Sequence, residues 1–249
     1  MPETQETTQA IFCLEGVHYA YGQGEEARRV LCGVDFALRP GQHVGLYGPN
    51  GSGKTTFFRC ITGLARPQRG EVRFHGRALH NEKDFYVLRC AVGFVLQHAE
   101  DQLFFPTVLE DVAFGPLNLG LTPEAARARA LETLERLGLA GFEQRLTHRL
   151  SGGEKKLVSL ATVLAMKPEA LLLDEPTNGL DNAARERIIQ ILQTLDTARI
   201  TISHDWDFLE RTSSHYLTID NGRLDTCAPS LAHAHLHAHP LGNRPHDHG

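Results

Sequence analysis

A glycine-rich segment near residue 50 restricts this chain to very few folds. The segment fits the pattern G-x-x-x-x-G-K-[ST], and its residues are Gly48, Pro49, Asn50, Gly51, Ser52, Gly53, Lys54 and Thr55. An apolar stretch at 43–47 predicts a strand before it, and the sequence at 54–64 is compatible with a helix after it. Glycines leave backbone N–H groups open to a polyphosphate, and a helix N-terminus adds the positive end of its dipole. The segment therefore predicts a phosphate-binding loop rather than a glycine-rich turn without a ligand.

The end of this loop predicts which parts of a nucleoside triphosphate it holds. We expect Lys54 to bind the β- and γ-phosphates and Thr55 to offer its hydroxyl to Mg²⁺. Thr56 lies one residue deeper and is expected to reach the α-phosphate. A nucleoside triphosphate and Mg²⁺ are thus the expected ligands of this loop.

An acidic pair provides the second chemical feature. The apolar run 170–173 is followed directly by Asp174 and Glu175, where an α/β sheet presents ligands beyond the ends of its strands. Alone, such a pair would more often be a surface acidic pair that caps a strand. Beside a phosphate-binding loop it predicts that Asp174 binds the metal and that Glu175 orients or deprotonates the attacking water.

The order of apolar segments predicts an α/β fold. Alternating apolar residues favour antiparallel strands at 11–17 and 34–38, and Asn221-Gly222 favours a hairpin turn near the other end. Further strands are expected at 71–74, 92–96, 170–173, 199–203 and 215–219, and helices at 54–64, 107–137 and 184–195.

Composition excludes several classes of protein. The 25 basic and 30 acidic residues give a net charge of −5, so nucleic acid is not an expected partner. No stretch approaches the roughly 18 apolar residues of a membrane-spanning helix, and the N-terminus lacks the basic and apolar regions of a secretory signal. We expect a cytoplasmic protein.

The five cysteines are far apart, which favours buried thiols over disulfides.

A second glycine-rich segment begins a predicted helix. In residues 150–154, Leu-Ser-Gly-Gly-Glu, Ser151 can cap the helix and Glu154 can complete a capping box. That role leaves Gly152 and Gly153 unexplained, because two glycines in a first turn cost helix stability. They leave backbone N–H groups uncovered, so this end can also receive an anion.

These motifs together resemble the ATP-binding subunits of ABC transporters. The resemblance covers residues 11 to about 228, and its motifs follow in order: Tyr21 (A-loop), 48–56 (Walker A), Gln97 (Q-loop), 150–154 (signature), 171–175 (Walker B), 178–181 (D-loop, ending in Asp181) and His204 (H-loop). It implies a P-loop NTPase core of the ABC ATPase type, with an N-terminal antiparallel β subdomain and an inserted α-helical signature subdomain.

The same resemblance implies roles for residues that no single motif would reveal. Tyr21 would stack on adenine, although Tyr19 is a neighbouring candidate. Gln97 would meet Mg²⁺ and water, and His204 would contact the γ-phosphate. Asp181 belongs to the nucleotide-binding residues through the D-loop.

The resemblance also implies a second ATPase subunit, identical or homologous. Two ATP molecules would be sandwiched head to tail, with Ser151 and Gly153 completing the cage around the partner's γ-phosphate. Two positions depart from the family pattern. Glu154 replaces the usual Gln and is expected to place a negative charge near the phosphate, and Leu157 stands where Arg is common.

Residues 97–121 and the form LSGGEKK resemble one branch, the ATPases of energy-coupling-factor importers, which include cobalt and nickel uptake systems. Membrane-embedded subunits are the implied partners. Leu103, Phe104, Phe105 and Phe114 could line the groove that receives them. An equally acceptable interpretation is that these side chains pack the helical subdomain.

The C-terminus adds a feature of its own. We expect one ATPase domain at 11–228, between a flexible N-terminus at 1–10 and a disordered tail at 229–249. Six of the 14 histidines lie after residue 232, namely His233, His235, His237, His239, His246 and His248. In an extended chain the first four place their rings on one side, and imidazole suits Ni²⁺ and Co²⁺. The tail therefore predicts a metal-buffering segment, or else an appendage that binds metal incidentally.

The sequence as a whole predicts an ATPase of a nickel or cobalt importer, bound peripherally at the cytoplasmic face of the membrane. Two alternatives remain. The cargo could be a vitamin or other micronutrient, or the chain could be a soluble ABC ATPase without a transport role.

Overall fold

The computed structural model describes residues 9–22, 24 and 27–227. The histidines of the predicted metal-binding tail and residues 1–8 of the predicted flexible N-terminus lie outside this range. The predicted domain boundaries at 11 and 228 therefore stay predictions.

The largest element is a six-stranded sheet at the centre of the fold. Its order is β10-β9-β3-β8-β7-β6, and all neighbours are parallel except the β9–β10 hairpin. The strands are β3 (His43–Tyr47), β6 (Val92–Val95), β7 (Ala170–Asp174), β8 (Ala198–Ile202), β9 (His215–Asp220) and β10 (Arg223–Cys227). Strands β7 and β8 are buried along their whole length, as expected for parallel strands covered on both faces. The hairpin turn predicted at Asn221-Gly222 is confirmed.

A second, antiparallel sheet is formed mainly by the N-terminal part of the chain. Its order is β2-β1-β4-β5. The strands are β1 (Phe12–Tyr21), β2 (Arg28–Leu38), β4 (Arg69–Phe74) and β5 (Arg77–Ala78). The inner faces of both sheets share one hydrophobic core with α1 and α2, which includes Phe12, Phe57 and Phe58.

Seven helices accompany the sheets in the described part of the chain. They are α1 (Lys54–Ile61), α2 (Glu82–Ala91), α3 (Val108–Asn118), α4 (Pro123–Arg136), α5 (Gly152–Leu164), α6 (Asn182–Gln193) and α7 (Trp206–Thr212). The predicted helical region 107–137 consists of α3 and α4, which are separated by a turn at Gly120 with φ +87°. The Thr122 hydroxyl caps α4 by accepting the Ala125 N–H over 3.3 Å.

Helices α3, α4 and α5 form an insertion between β6 and β7. They share a second hydrophobic core with α6 and one face of the parallel sheet, to which Val112, Leu134 and Leu160 contribute. The predicted fold class is confirmed: an α/β P-loop core with an antiparallel β subdomain and an inserted helical subdomain.

One expectation about the cysteines is wrong in part. Cys60 is buried, but Cys13, Cys32 and Cys90 are partly exposed, and all four are free thiols. Three of them lie on strand or helix positions that only partly face the core. Burial raises the pKa of the Cys60 thiol to about 12, so this thiol stays protonated and packs as a small apolar side chain.

Candidate nucleotide-binding site

A cavity of about 550 Å³ opens beyond the carboxyl ends of the parallel strands. The loops that follow β3, β6, β7 and β8 all contribute to it. Its lining consists of Tyr21, Arg28, Val30, Asn50, Gly51, Gly53, Lys54, Thr55, Thr56, Gln97, Asp174, Glu175, Asn178, Ile202 and His204. The fold thus brings together residues from six separate sequence motifs.

The phosphate-binding loop lies between β3 and α1. Gly48, Gly51 and Gly53 have φ angles of +154°, +75° and +110°, which other residues rarely adopt. At Gly53 a Cβ would also lie 2.8 Å from Val30 Cγ1. The loop therefore needs glycine for its backbone conformation and for its close contact with β2.

The side chain of Lys54 folds back towards the first residues of this loop. Its Nζ donates to the carbonyl oxygens of Gly48 over 2.7 Å and Pro49 over 2.9 Å. Burial lowers the pKa of Lys54, while the nearby Glu175 and Asp174 carboxylates oppose that shift. The buried Ser52 Oγ has no hydrogen-bond partner, so the loop retains an unsatisfied polar atom that a phosphate could satisfy.

Thr55 and Asp174 meet at the centre of the cavity, although 119 residues separate them in the chain. The Thr55 hydroxyl donates to Asp174 Oδ2 over 2.9 Å. Burial raises the pKa of Asp174, and the Thr55 hydrogen bond and the Lys54 charge act against it. A hydroxyl and a carboxylate side by side suit Mg²⁺, which typically takes one or two protein oxygens together with substrate phosphates. Gln97 lines the same cavity as a third oxygen donor.

Glu175 follows β7 in an unusual backbone conformation. Its φ is +47°, a left-handed value that costs a non-glycine residue stability and tends to occur at functional sites. Its N–H donates to the Ile202 carbonyl over 3.0 Å, and its Oε2 accepts the His204 N–H over 3.4 Å. The surrounding fold therefore holds the strained backbone in place.

Glu175 lines the cavity, and its other carboxylate oxygen is buried. Oε1 lies 3.4 Å from His204 Nε2, yet it is buried without a hydrogen bond. Burial raises the pKa of Glu175, while the His204 N–H acts against the shift. Burial and the Lys54 charge both lower the pKa of His204, which favours a neutral imidazole. An unsatisfied carboxylate oxygen with a raised pKa is a suitable acceptor for a water proton.

The two candidate tyrosines occupy different surroundings. Tyr21 is 42% exposed and lines the cavity, with its hydroxyl 3.1 Å from the Thr56 hydroxyl. Tyr19 does not line the cavity but packs on the core and meets the Tyr21 ring edge-on, with 5.1 Å between centroids. This placement favours Tyr21 over Tyr19 as the base-stacking residue.

The signature segment lies outside this cavity. Ser151 and Glu154 form the predicted capping box, with Ser151 Oγ accepting the Glu154 N–H over 3.3 Å and Glu154 Oε2 accepting the Ser151 N–H over 2.8 Å. Ser151 and Gly152 are exposed. Asp181 is also absent from the cavity lining, and its carboxylate caps α6 by accepting the Ala184 N–H over 2.8 Å. One subunit therefore does not bring residues 151–154 or Asp181 to its own phosphate-binding loop.

Sequence reasoning missed Lys156, which lies two residues after the signature segment. It is only 7% exposed, which is rare for lysine. Its Nζ donates to the backbone carbonyl oxygens of Gln97 and Glu175. Its spacing gave a signal, because Lys156 precedes Leu160 and Val163 by four and seven residues and so shares their apolar face.

Comparison with known proteins identifies the family. Residues 31–178 match the ABC transporter family. The chain is a member of that family. This ABC ATPase couples ATP hydrolysis to transport, and its predicted identity as an ATP-binding subunit is confirmed.

Individual relatives agree with this assignment. The energy-coupling factor transporter ATP-binding protein EcfA of Methanothermobacter thermautotrophicus is 43% identical over 215 residues, covering 85% of this ABC ATPase and 68% of the relative. The structure of CbiO1 from Clostridium perfringens, part of the ABC transporter complex CbiONQ, superposes with a TM-score of 0.78 at 32% identity, covering 87% of each chain. The predicted resemblance to energy-coupling-factor ATPases is thereby confirmed.

A third comparison concerns the assembled state. A dimeric ATP-binding cassette in a post-hydrolysis state, bound to ADP and Pi, superposes with a TM-score of 0.78 at 28% identity. The match covers 86% of this ABC ATPase and 98% of that chain.

Proposed function

We propose that this ABC ATPase drives the import of nickel or cobalt as the energy-coupling subunit of a transporter. ATP hydrolysis is supported by one observation: a single cavity is lined by Lys54, Thr55, Asp174, Glu175 and His204. The importer and its cargo are supported by the resemblance of residues 97–121 to cobalt and nickel systems and by the histidine-rich tail.

Each residue of the cavity has a role in this proposal. Tyr21 stacks on the adenine, and the loop 48–56 holds the phosphates through its backbone N–H groups and Lys54. Thr55, Asp174 and Gln97 would hold Mg²⁺. When bound, the metal would supply positive charge against the negative charge that develops on the phosphates.

Glu175 and His204 act on the attacking water and the terminal phosphate. The free Oε1 of Glu175 accepts the water proton, and the fixed backbone of Glu175 keeps that oxygen in place. His204, kept neutral by burial and by Lys54, donates a hydrogen bond to the γ-phosphate without forming a strong ion pair with Glu175.

A second ATPase subunit completes the site. Ser151, Gly152 and Gly153 lie away from the cavity of their own chain, while Ser151 and Gly152 are open to solvent. In a head-to-tail dimer they would bind the γ-phosphate held by the partner, and the dimeric cassette described above supports this arrangement. ATP binding would then draw the subunits together and move the attached membrane subunits.

The exposure of two aromatic side chains supports a docking surface for those membrane subunits. Phe104 and Phe114 are 74% and 42% exposed, whereas Leu103 and Phe105 are partly buried. Exposed aromatic side chains of this size are typical of a contact surface. Within the described residues no helix has the length and apolar character to span a bilayer. The proposal places the protein at the cytoplasmic face through its contact with these partners.

The first test is Glu175→Gln in the native host and in purified protein. The variant should bind ATP but lose turnover, because the amide keeps the size of the side chain and removes the base. Retained steady-state hydrolysis would contradict the role of Glu175. Elemental analysis of the cells should show loss of nickel or cobalt. A vitamin requirement with unchanged metals would point to micronutrient cargo, and the absence of any transport defect would point to a soluble ABC ATPase.

A further inference from the structure

Lys156 is a buried cation to which the proposed reaction assigns no role. It lies in the second turn of α5 and is 7% exposed. Its surroundings include the apolar side chains of Val95, Leu160 and Leu173, and the carboxylates of Asp174, Glu100 and Glu175 attract its charge. A buried ammonium group is unfavourable unless it is hydrogen-bonded, so the partners of Nζ account for its position.

Those partners are two backbone carbonyl groups at the ends of neighbouring strands. Nζ donates to the carbonyl oxygen of Gln97 and to that of Glu175, the latter over 3.3 Å. Gln97 follows β6 and Glu175 follows β7, and these strands pair in parallel. Because Lys156 uses only backbone atoms, the side chains of Gln97 and Glu175 stay free for the cavity.

The contact also bears on the strained backbone of Glu175. Its N–H is held by the Ile202 carbonyl on one side. On the other side its carbonyl accepts from Lys156 Nζ and from the Asn178 N–H, the latter over 3.2 Å. The left-handed φ of +47° is therefore fixed from both ends of the residue. Loss of Lys156 would leave this carbonyl with the Asn178 N–H as its remaining donor, and would loosen the backbone that orients the carboxylate with Oε1 free.

Further contacts fasten the same helix to the Q-loop segment. The Gln102 side chain accepts the Leu96 N–H over 3.0 Å and donates to Ser159 O over 2.8 Å and Thr162 Oγ1 over 2.9 Å. Gln102 thus holds the start of the Q-loop against α5, but it makes no contact with Glu175. Lys156 alone among these side chains reaches both strand ends.

We propose that Lys156 is a positioning residue for ATP hydrolysis, which holds the backbones of Gln97 and Glu175 in register from the signature helix. The proposal rests on the proposed roles of those two residues. Since Ser151 caps α5, the helix that meets the second subunit is tied directly to the backbone of the water-activating residue of its own cavity.

The test compares Lys156→Met with Lys155→Met in the full-length chain. Lys155 lies next to Lys156 but pairs with Glu100 over 2.9 Å at the surface. Steady-state kcat and KM for ATP, ATP affinity and the Tm are measured for both variants. We expect kcat of Lys156→Met to fall about tenfold or more with KM and affinity unchanged, because misplacement of a catalytic group affects the chemical step. Lys155→Met should resemble the unaltered protein.

A second variant covers the case in which Lys156→Met does not fold. Lys156→Gln keeps a donor that can reach one carbonyl, and it should give an intermediate kcat. An unchanged kcat in either variant, or a parallel loss of kcat, affinity and Tm, would overturn the proposal. Glu175→Gln is measured alongside. If it abolishes turnover while Lys156→Met does not reduce it, only the role of Lys156 fails, and if it retains turnover, the proposed function itself fails.

Discussion

The guanidinium of Arg145 pairs with the carboxylate of Glu154, with Nη1 and Oε1 2.7 Å apart. The same carboxylate accepts the Ser151 N–H over 2.8 Å, and both contacts lower the pKa of Glu154, the backbone contact most. The sequence predicts a negative charge from Glu154 near the phosphate of the second subunit. The charge is present, but Arg145 compensates it.

This pairing predicts that the positive charge of Arg145 keeps the negative charge of Glu154 from weakening ATP binding at the signature segment. In Arg145→Gln the KM for ATP should rise by about fivefold, equivalent to roughly 1 kcal/mol for an exposed pair. The double variant Arg145→Gln with Glu154→Gln should restore KM, since the glutamine amide can still accept the Ser151 N–H. Equal KM values for the single and double variants would show that Arg145 acts in another way.

The two signature glycines should respond differently to alanine. A Cβ at Gly153 would lie 2.8 Å from Ala184 Cβ on α6, whereas a Cβ at Gly152 would meet nothing within 4 Å. Gly153→Ala should therefore destabilise the fold by about 1–3 kcal/mol through overpacking. Gly152→Ala should raise stability by about 0.5 kcal/mol, because alanine favours a helix.

Gly152→Ala should nevertheless lower ATPase activity, since its methyl group would cover N–H groups that the second subunit's phosphate needs. Urea denaturation and steady-state hydrolysis of both variants check this. Full activity of Gly152→Ala would argue against phosphate binding at that end of α5.

Sequence patterns predicted the central sheet well for a physical reason. The run that became β7 is apolar from Ala170 to Leu173, which is typical of a strand covered on both faces. β8 is equally buried although it contains Arg199 and Thr201. The capping box of Ser151 and Glu154 was predictable because it depends on residues three apart. The same holds for Lys54 and Thr55, whose places in the loop are fixed by local glycine geometry.

Other features depend on distant parts of the chain and were not predictable. The hydrogen bond between Thr55 and Asp174 spans 119 residues, and the contact of Lys156 with two strand ends depends on how α5 packs. The choice between Tyr19 and Tyr21 depended on which side chain of β1 reaches the cavity beside Thr56. Register shifts along β1, one of them between Tyr19 and Ala20, prevent a decision by simple alternation.

The position of Tyr21 leads to a prediction about base binding. Tyr21→Phe should keep ATP affinity, because the ring remains and only the contact with the Thr56 hydroxyl is lost. Tyr21→Ala should weaken binding about tenfold, given the roughly 1–3 kcal/mol of an aromatic ring stacked on a base. Binding is measured by titration with ATP and, as a control, with inorganic triphosphate, whose affinity should not change. If Tyr19→Ala instead weakened ATP binding selectively, Tyr19 would be the stacking residue.

Two adjacent acids on α3 should affect stability with opposite dependence on pH. Asp111 Oδ1 accepts the N–H groups of Phe104 over 2.9 Å and Phe105 over 3.1 Å, while its Oδ2 is buried without a partner. Burial raises the pKa of Asp111 above 3.8. The neighbouring Glu110 accepts hydrogen bonds from the Thr107 hydroxyl and N–H, which lower its pKa below 4.5.

Whether each acid raises or lowers the free energy of unfolding as pH changes depends on which state, native or unfolded, binds more protons. As pH rises from 3.8 through the raised pKa of Asp111, the native state binds more protons at this carboxyl than the unfolded state does. The contribution of Asp111 to the free energy of unfolding therefore falls over this pH range. Glu110 behaves in the opposite way, and its contribution is present above 4.5 and lost as pH falls through its lowered pKa. The free energy of unfolding of Asp111→Asn, relative to the unaltered protein, should therefore increase with pH.

Glu110→Gln should show the reverse trend, a relative free energy of unfolding that decreases as pH rises. Urea denaturation of both variants and the unaltered protein, from acid to neutral pH, measures the two differences. The pair serves as its own control, because a general effect of substitution on α3 would give both curves the same slope. Equal slopes would show that the buried oxygen of Asp111 does not set the stability of the Phe104–Phe105 segment.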